Sequence, residues 1–560
     1  MKKHLILTFV ATFFCLGTMA QNTIDDLFAN HPEVIFTFVE NDNAKLRELG
    51  RIISIDNRKG STVTAYANRQ EFEAFLQKGY PYTIIPKSAD KAVNMATTVE
   101  QMSSWDRYPT YDVYLQMMDS FAVKYPALCR IDTIGTSVRG RLILCAVISD
   151  SLNVDQNKPQ FFYSSTMHGD EVTGYVLMLR LIDHLLSNYG TDAYITRLVN
   201  TTRIYINPLS NPDGTYNGGN NTVSRARRYN ANSVDLNRNY PDPWSTAPLN
   251  TIQQENTAMM DYTANHHFVM SANLHGGAEI VNFPWDGYTS LQKRTADYNW
   301  WNAVGRKFVD SCRAVEYGVY TSDNQSGIVV GGDWYVINNG RQDFMNYYRH
   351  CREATLEVSE DKTLSSSYLP IYWNFHRRAL LDYIDQVHYG IHGMVVDSVT
   401  RQPLKALISV QNYDRDSSEV YSRSGHGDFY RLLLEGDYTL VATAPGYRQK
   451  TIENISVSDT VATHIIIELV RDGSPMGFTN SNVSNSITLY PNPGISSITI
   501  SGNGIWGYRF VNTLGYTVLQ CTNLNHSEIN INVSDLKKGL YYVEIIRADK
   551  SREMHKFLKN

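Results

Sequence analysis

The chain has 560 residues, which is too long for one hydrophobic core, so several domains are expected. Hydrophobic residues make up 42% of it and charged residues 19%, with a formal net charge of -5 and a pI near 6.3. This composition is typical of folded domains and offers no basic surface for a polyanion. Nucleic acid is therefore not an expected partner.

Residues 1–20 have the pattern of a secretory signal peptide. Lys2 and Lys3 precede an apolar run at residues 5–16, and a stretch of small residues ends at Ala20. About a dozen apolar residues are fewer than the roughly 20 that span a bilayer, which disfavours a membrane anchor. We predict cleavage after Ala20 and no transmembrane span in the rest of the chain.

Residues 21–95 form a small unit of mixed character, with strand-like runs at residues 34–39 and 61–66 and a helical stretch at 71–79. Residues 96–104 are polar and non-periodic, which predicts a linker. A small folded unit followed by a tether is the arrangement of an inhibitory prodomain. An accessory domain without a regulatory role fits the sequence equally well.

Residues 105–387 alternate short apolar strands with helices, which predicts an α/β domain: a mixed sheet covered by helices on both faces. From 388 to 471 the pattern changes to short alternating strands separated by turns, typical of a small β-sandwich. A linker rich in Gly, Ser and Asn is predicted at 472–485, and a second small all-β sandwich at 486–560.

The first candidate site is the run HGDE at residues 168–171. It follows a predicted buried strand at 161–166, so it lies at the strand's C-terminal end, where open α/β sheets place their sites. His168 and Glu171 could bind one zinc ion there. A His-x-x-Glu spacing is common by chance, however, and by itself is more simply interpreted as a capping Glu beside a solvated His.

A zinc site of this kind needs a third protein ligand and an open position for water. His275 is a candidate, because it ends the predicted strand at residues 268–274 and precedes Gly276 and Gly277, which allow close approach of a backbone. The cysteines that remain after removal of the predicted signal peptide have no Cys-x-x-Cys spacing, so a cysteine zinc site is not implied.

Five segments resemble, in the same order, those of the zinc carboxypeptidases of the M14 family. They are HGDE (168–171), NPDG (211–214), DLNRNYP (235–241), SANLHGG (271–277) and TLEVS (355–359). Within them, DLNRN and ANLHGG are similar to the N/E (regulatory) branch, whose members carry a transthyretin-like β-sandwich after the catalytic domain. The run GDFYRLL at 427–433 resembles that sandwich, which would span residues 388–471.

The resemblance implies one zinc ion per catalytic domain, with His168, Glu171 and His275 as ligands. Glu357 matches the general base, and Asp235 matches the carboxylate that orients the first zinc histidine. This set is chemically coherent, because zinc lowers the pKa of water and a nearby glutamate can move its proton to the leaving amine. Asp235 would fix the tautomer of a ligand histidine.

The resemblance also implies substrate-binding residues. Arg228 matches the arginine that polarises the scissile carbonyl, and Asn237 and Arg238 match the pair that binds the terminal carboxylate. A guanidinium holds a carboxylate bidentately, which would explain action at a free C-terminus. The family's mobile tyrosine falls on Asn346 in an ungapped comparison, and Tyr347 is the predicted substitute, with a packing aromatic as the equal alternative.

The C-terminal residues carry a separate resemblance. The runs LYPNP (489–493) and GLYY (539–542) are similar to the sorting domain of type IX secretion cargo. The resemblance implies the type IX secretion machinery as a partner and a secreted or outer-membrane cell-surface location in a Gram-negative bacterium. The alternative is an ordinary β-sandwich module.

The sequence therefore predicts a secreted zinc metallocarboxypeptidase that acts on peptide or protein C-termini. A hydrolase of cell-wall peptides or acyl amino acids on the same fold, and a noncatalytic peptide-binding protein, are the alternatives. The preferred C-terminal side chain stays open, since Asp286, Asp333 and Asp343 could each supply an acidic pocket floor.

Overall fold

The computed structural model describes residues 24–29, 32–86, 93–244, 248, 250–321, 325–472, 487–513, 516–522, 524, 526–547 and 552–560. The predicted signal peptide and residues 473–485 of the predicted second linker lie outside these. The chain divides into two compact units, one up to Asp472 and one from Gly473 onwards, and each is described by itself. No helix in the described part of the chain has the length and apolar character needed to cross a membrane.

The N-terminal domain is a four-stranded antiparallel sheet in the order β2-β3-β1-β4, packed against helices. Alternate residues of β1 put Phe36 and Phe38 into a core with Phe72 and Phe75 of α3, because side chains on a strand alternate between its faces. Its elements are α1 (Ile24–Phe28), β1 (Glu33–Val39), α2 (Asn43–Leu49), β2 (Ser54–Lys59), β3 (Thr62–Asn68), α3 (Arg69–Leu76) and β4 (Tyr82–Ile85).

Residues 96–104, for which the sequence predicts a linker, are partly ordered against the next domain. They contain a 3-10 helix at Glu100–Ser104, and Ala96 and Met102 are buried in the large core of that domain. The short strands β5 (Met95–Ala96) and β6 (Tyr108–Pro109) pair in parallel. Two isolated buried residues in a polar run carry no periodic signal, which is why the sequence pattern did not indicate this packing.

The next domain is built on an eight-stranded sheet in the order β13-β12-β14-β11-β9-β10-β8-β7. Its four central strands, β10, β9, β11 and β14, run parallel, and antiparallel pairs lie on both sides. The strands are β7 (Cys129–Thr136), β8 (Leu142–Ile148), β9 (Gln160–Ser165), β10 (Arg203–Asn207), β11 (Phe268–His275), β12 (Ala278–Phe283), β13 (Ile328–Val330) and β14 (Arg352–Ser359).

Helices cover both faces of this sheet, as predicted. Ala146 and Phe161 point into one core, while Cys145, Val147 and Phe162 point into the other, so continuous apolar runs are buried on both sides. The helices are α4 (Tyr111–Lys124), α5 (Thr173–Asn188), α6 (Ala193–Thr201), α7 (Pro212–Thr215), α8 (Gln254–Ala264), α9 (Tyr298–Arg313), α10 (Gly331–Trp334), α11 (Arg341–Tyr348) and α12 (Leu369–Asp385).

An all-β region follows within the same unit, as predicted. Two sheets, β18-β15-β21 and β17-β16-β19-β20, enclose a core that includes Val395, Ile408, Phe429 and Leu440. The strands are β15 (Ile391–Asp397), β16 (Leu407–Val410), β17 (Val420–Tyr421), β18 (Asp428–Arg431), β19 (Gly436–Thr443), β20 (Lys450–Val457) and β21 (Thr463–Leu469). The transthyretin-like assignment of this region stays a prediction.

The second unit is also all-β. Its described strands belong to one connected sheet, in which the 16-residue β23 pairs with β22, β24, β25 and β26, and β27 extends β26. The strands are β22 (Thr488–Tyr490), β23 (Ser497–Asn512), β24 (Thr517–Cys521), β25 (His526–Asn532), β26 (Gly539–Arg547) and β27 (Arg552–Lys559).

Candidate active site

The three predicted metal ligands converge at the carboxyl ends of the central parallel strands. His168 and Glu171 lie in the turn between β9 and α5, and His275 is the last residue of β11. Their ligand atoms all lie within 4.8 Å of one another. Because the carboxyl ends of parallel strands meet at one edge of a sheet, segments about a hundred residues apart in sequence reach the same point.

The atoms that face one another in this cluster are ring nitrogens and carboxylate oxygens, which can donate electron pairs to a cation. Nδ1 of His168 lies 2.9 Å from Oε1 of Glu171, Nδ1 of His275 lies 2.8 Å from Oε2, and the two ring nitrogens are 3.0 Å apart. Burial lowers the pKa of His275 to about 4, which keeps the ring neutral and its lone pair available. Two imidazole nitrogens and a carboxylate are a donor set that zinc accepts, so these residues fit the metal.

Asp235 contacts His168 on the side of the ring that faces away from Glu171. Its carboxylate lies 3.1 Å from Nε2 of His168, so the opposite nitrogen of that ring faces the cluster. Burial disfavours the charged form of Asp235, but Arg228 and His168 outweigh it and hold the pKa of this carboxyl well below its usual range. It also accepts a hydrogen bond from the backbone N–H of Asn237, which ties the histidine to the next segment of the site.

Arg228 is buried beside the ligand cluster. Its Nε donates to Asp235 at 3.0 Å, and its Nη1 lies 3.5 Å from Glu171 and 2.8 Å from Asp56 of the N-terminal domain. Asp235 therefore anchors one edge of the guanidinium. A cation held there is suited to stabilising negative charge that develops near the metal position.

Asn237 and Arg238 lie in a 3-10 helix at Leu236–Arg238 and line the same pocket. Oδ1 of Asn237 accepts from the backbone N–H of Arg341 at 2.9 Å. Nη2 of Arg238 donates to the backbone carbonyl of Ile55 at 2.7 Å. The structure thus brings the predicted carboxylate-binding pair to the ligand cluster.

Glu357 lies on β14 directly opposite His275 in the strand register. Its side chain lines the pocket, and its Oε2 has no hydrogen-bond partner among the described residues. Burial, and next the carboxylate of Glu171, raise the pKa of Glu357 well above its usual range. A buried carboxyl group with a raised pKa and a free oxygen is suited to moving a proton within the site.

The structure does not bring Tyr347 to these residues. Its ring packs against Trp244, at a centroid distance of 5.2 Å, and it is not among the residues that line the pocket. Tyr335, which the motifs did not single out, does line the pocket. Its hydroxyl is close enough to Arg238, Asp56 and Glu357 for their charges to influence its pKa, which burial raises.

Of the three aspartates that the sequence left open, Asp286 is the one that lines the pocket. It is 3% exposed and lines the pocket, and its Oδ1 accepts from Nε2 of Gln342 at 2.8 Å. Asp343 instead accepts from the backbone N–H groups of Asp286 and Gly287, a supporting role. Asp333 is exposed and accepts from the backbone N–H of Ser290.

Comparison with known families gives two matches along the chain. A model described as zinc carboxypeptidase (Peptidase_M14) matches residues 114–379. A model described as secretion system C-terminal sorting domain matches residues 488–560. The sorting domain predicted from the C-terminal runs is thereby confirmed, and it implies export or a cell-surface location.

Relatives and solved structures agree with the first match. Carboxypeptidase D of Mus musculus is 34% identical over 387 residues, 66% of this chain but only 27% of that protein. The carboxypeptidase N catalytic chain of Mus musculus is 33% identical over 406 residues, 66% of this chain and 87% of that protein. A crystal structure of carboxypeptidase A from Helicoverpa armigera, 17% identical, covers 63% of this chain and 97% of its own with a TM-score of 0.50, a likeness in fold.

The matched region contains the His-Glu-His cluster, Arg228, Asn237, Arg238 and Glu357 in one pocket. The fold and the family predicted from the motifs are both confirmed by these comparisons. The chain belongs to the Peptidase_M14 family of zinc carboxypeptidases.

Proposed function

We propose that this protein is a secreted zinc-dependent metallocarboxypeptidase that removes C-terminal residues from peptides or proteins. The observation that carries the proposal is the convergence of His168, Glu171 and His275 beside Glu357 and Arg228 in one buried pocket. The family match supports the same activity, and the C-terminal sorting domain supports export.

His168, Glu171 and His275 would hold one zinc ion. When bound, zinc supplies Lewis acidity, which makes water easier to deprotonate and polarises a carbonyl group. Glu357 then accepts the proton of the attacking water and passes it to the leaving amine. Its raised pKa makes the ionised carboxylate a stronger base for the first transfer.

Arg228 and Asp235 would together stabilise the negative charge that develops on the substrate during the reaction. The guanidinium of Arg228 stabilises the oxyanion that forms when water adds to the scissile carbonyl, and its burial strengthens this interaction. Asp235 holds both Arg228 and His168 in position through its two oxygens. No reorganisation of these groups is then needed during the reaction.

Asn237 and Arg238 would bind the terminal carboxylate of the substrate, with Tyr335 rather than Tyr347 as the neighbouring aromatic group. Charge-assisted hydrogen bonds from a guanidinium to a carboxylate are strong and directional. An internal peptide bond has no carboxylate at this point and would leave Arg238 without its partner. This requirement restricts hydrolysis to the last peptide bond.

Asp286 would select a basic side chain in the last residue of the substrate. A buried carboxylate at the floor of a pocket is costly unless a cation pairs with it. The ammonium of lysine or the guanidinium of arginine is such a cation, and it would reach Asp286 from a terminal residue held by Arg238.

Export would use the predicted signal peptide at residues 1–20 and the type IX secretion machinery, which would recognise the C-terminal sorting domain. The protein would then act outside a Gram-negative cell, either released or attached to the outer surface.

The activity is tested with zinc-loaded full-length protein and a peptide ending in lysine, with the same peptide amidated at its C-terminus as the matched control. Mass spectrometry should show release of single C-terminal residues from the free peptide alone. Chelation and Glu357→Gln should each abolish release. Equal turnover by the wild type and the E357Q variant, or cleavage of the amidated peptide, would overturn the proposal.

A further inference from the structure

A second cleft lies at the opposite edge of the eight-stranded sheet from the candidate active site. Pro159 and Thr201, which come just before β9 and β10, form part of one wall, and the sheet β18-β15-β21 forms the other. The cavity volume is about 1110 Å³, enough for water and small ligands to enter. This amino-end cleft is therefore separate from the pocket that contains His168, Glu171 and His275.

Three metal-binding side chains share the wall formed by the sheet. On β15, Ile391 and Val395 point into the core of the all-β region, so His392 and Met394 point into the amino-end cleft. His464 lines the same cleft and stands opposite His392 on the parallel neighbour β21. Strands lie about 4.8 Å apart and rise about 3.3 Å per residue, so the three side chains start within roughly 8 Å of one another.

The two imidazoles are spaced as they would be on one metal ion. The ring centroids of His392 and His464 are 5.4 Å apart, with an angle of 85° between the ring planes. With metal–nitrogen bonds of about 2.0 to 2.1 Å and tetrahedral angles, two imidazoles on one ion have ring centres roughly 5 Å apart. The centroids of the two histidines at the candidate active site are 4.6 Å apart. The spacing of His392 and His464 therefore suits a shared ion.

His392 also has an unused ring nitrogen. The residue is 7% exposed, and its Nε2 is buried with no hydrogen-bond partner among the described residues. A buried polar atom without a partner is costly. Burial, and next the charges of His464 and His388, lower the pKa of His392 to about 3, which keeps the ring neutral. A neutral imidazole is the form that binds a metal ion.

The set of donors favours copper over zinc. Met394 adds a thioether sulfur, whose recorded contact is with the amide of Asn157 at 3.6 Å. Thioether ligands select Cu(I), and imidazole also suits copper. The carboxylate of Asp428, which lines the same cleft, is already paired with Arg423. In the part of the chain that the structure describes, three His, Cys, Asp or Glu side chains come together for a metal only at the candidate active site, so the amino-end cleft lacks a full set of zinc ligands.

We propose that His392, His464 and Met394 bind one copper ion, as Cu(I), in the amino-end cleft. The ion would link β15 to β21 and use the unpaired nitrogen of His392. All three residues lie outside the segments matched by the two family models, 114–379 and 488–560. The site does not depend on the proposed carboxypeptidase activity, because its ligands are at the other edge of the sheet. Copper binding and peptide hydrolysis can therefore succeed or fail separately.

The test titrates zinc-loaded full-length protein with Cu(I), kept reduced by ascorbate, against bicinchoninate as a competing ligand. Bound copper and zinc are then counted by elemental mass spectrometry. The wild type should retain one copper in addition to one zinc. His464→Ala, which alters an exposed side chain, and Met394→Leu should each weaken copper binding at least about tenfold, since even the loss of an outer partner of a metal ligand costs about 10- to 100-fold. Zinc content and the thermal unfolding midpoint should not change.

Control variants separate this site from other copper donors. Cys521→Ser removes a partly exposed thiol, and His526→Ala removes an exposed histidine of the second unit; both should bind copper as the wild type does. X-ray absorption of the copper-loaded wild type should show nitrogen and sulfur neighbours, and the sulfur should be absent in M394L. A wild type that retains no copper beside its zinc, equal copper affinity in the wild type and H464A, or loss of copper in C521S would overturn the proposal.

Discussion

Replacing Asp286 by Asn removes the negative charge at the pocket floor with little change of size. The carboxylate is 3% exposed and accepts a hydrogen bond from Gln342, which an Asn side-chain oxygen can also accept. The D286N variant should therefore keep its fold and its metal ligands. It should lose only the charge that we propose to pair with a lysine or arginine side chain.

The expected size of the effect follows from the burial of this position. A hydrogen bond to a charged group in a desolvated site contributes about 1.5 to 3 kcal/mol. At about 1.4 kcal/mol for each factor of ten, the ratio of kcat/KM for lysine-ended to leucine-ended peptides should fall about 10- to 150-fold. Because the ratio compares two substrates of one variant, any inhibition by the N-terminal domain cancels.

The assay uses two peptides that differ only in the last residue, with Asp333→Asn as the matched control. Asp333 is exposed and outside the pocket, so the D333N variant should keep the wild-type ratio. A wild type that prefers leucine, or a D286N variant with an unchanged ratio, would refute the assignment of Asp286.

The same ratio should depend on pH. Burial, and next the neighbouring Asp343, raise the pKa of Asp286 well above its usual range, while Arg238 opposes the shift. Only the ionised form, which exists above this raised pKa, pairs with the substrate cation. The lysine preference should therefore weaken as pH falls through the pKa of Asp286, and the ratio measured for D286N should not follow this change.

Two further predictions concern metal affinity and stability. Asp235→Asn should weaken zinc binding about 10- to 100-fold, measured by competition with a chelator, because an amide no longer fixes the tautomer of His168 as a carboxylate does; D333N should bind zinc as the wild type does. Arg341→Met leaves the carboxylate of Glu353, which is fully buried, without its cation, at a cost of about 3 to 5 kcal/mol. R341M should therefore lower the thermal unfolding midpoint, and the double variant R341M/E353Q should recover part of that loss. Equal midpoints for the single and the double variant would argue against a charge penalty.

Much of the fold could be predicted from local patterns. The apolar runs that became β8 and β9 are continuous because both faces of these strands are covered, and alternating short strands after residue 388 marked the all-β regions. The positions of His168 and His275 followed from the same reasoning, since each comes at the end of an apolar run. The packing of residues 96–104 could not be predicted in the same way, because Ala96 and Met102 are isolated buried residues in a polar segment.

By itself, the sequence determined the chemical types in the site: a histidine and a glutamate at one strand end, a histidine at another, and arginines between them. Only the tertiary structure decided which of three aspartates lines the pocket, and that Tyr335 lines it instead of Tyr347. It also revealed the contact between Asp56 and Arg228. Asp56 and Arg228 are 172 residues apart, and their contact depends on how two domains fit together. Such a contact leaves no local periodicity or spacing in the chain, because its energy comes from surfaces that exist only after both domains have folded.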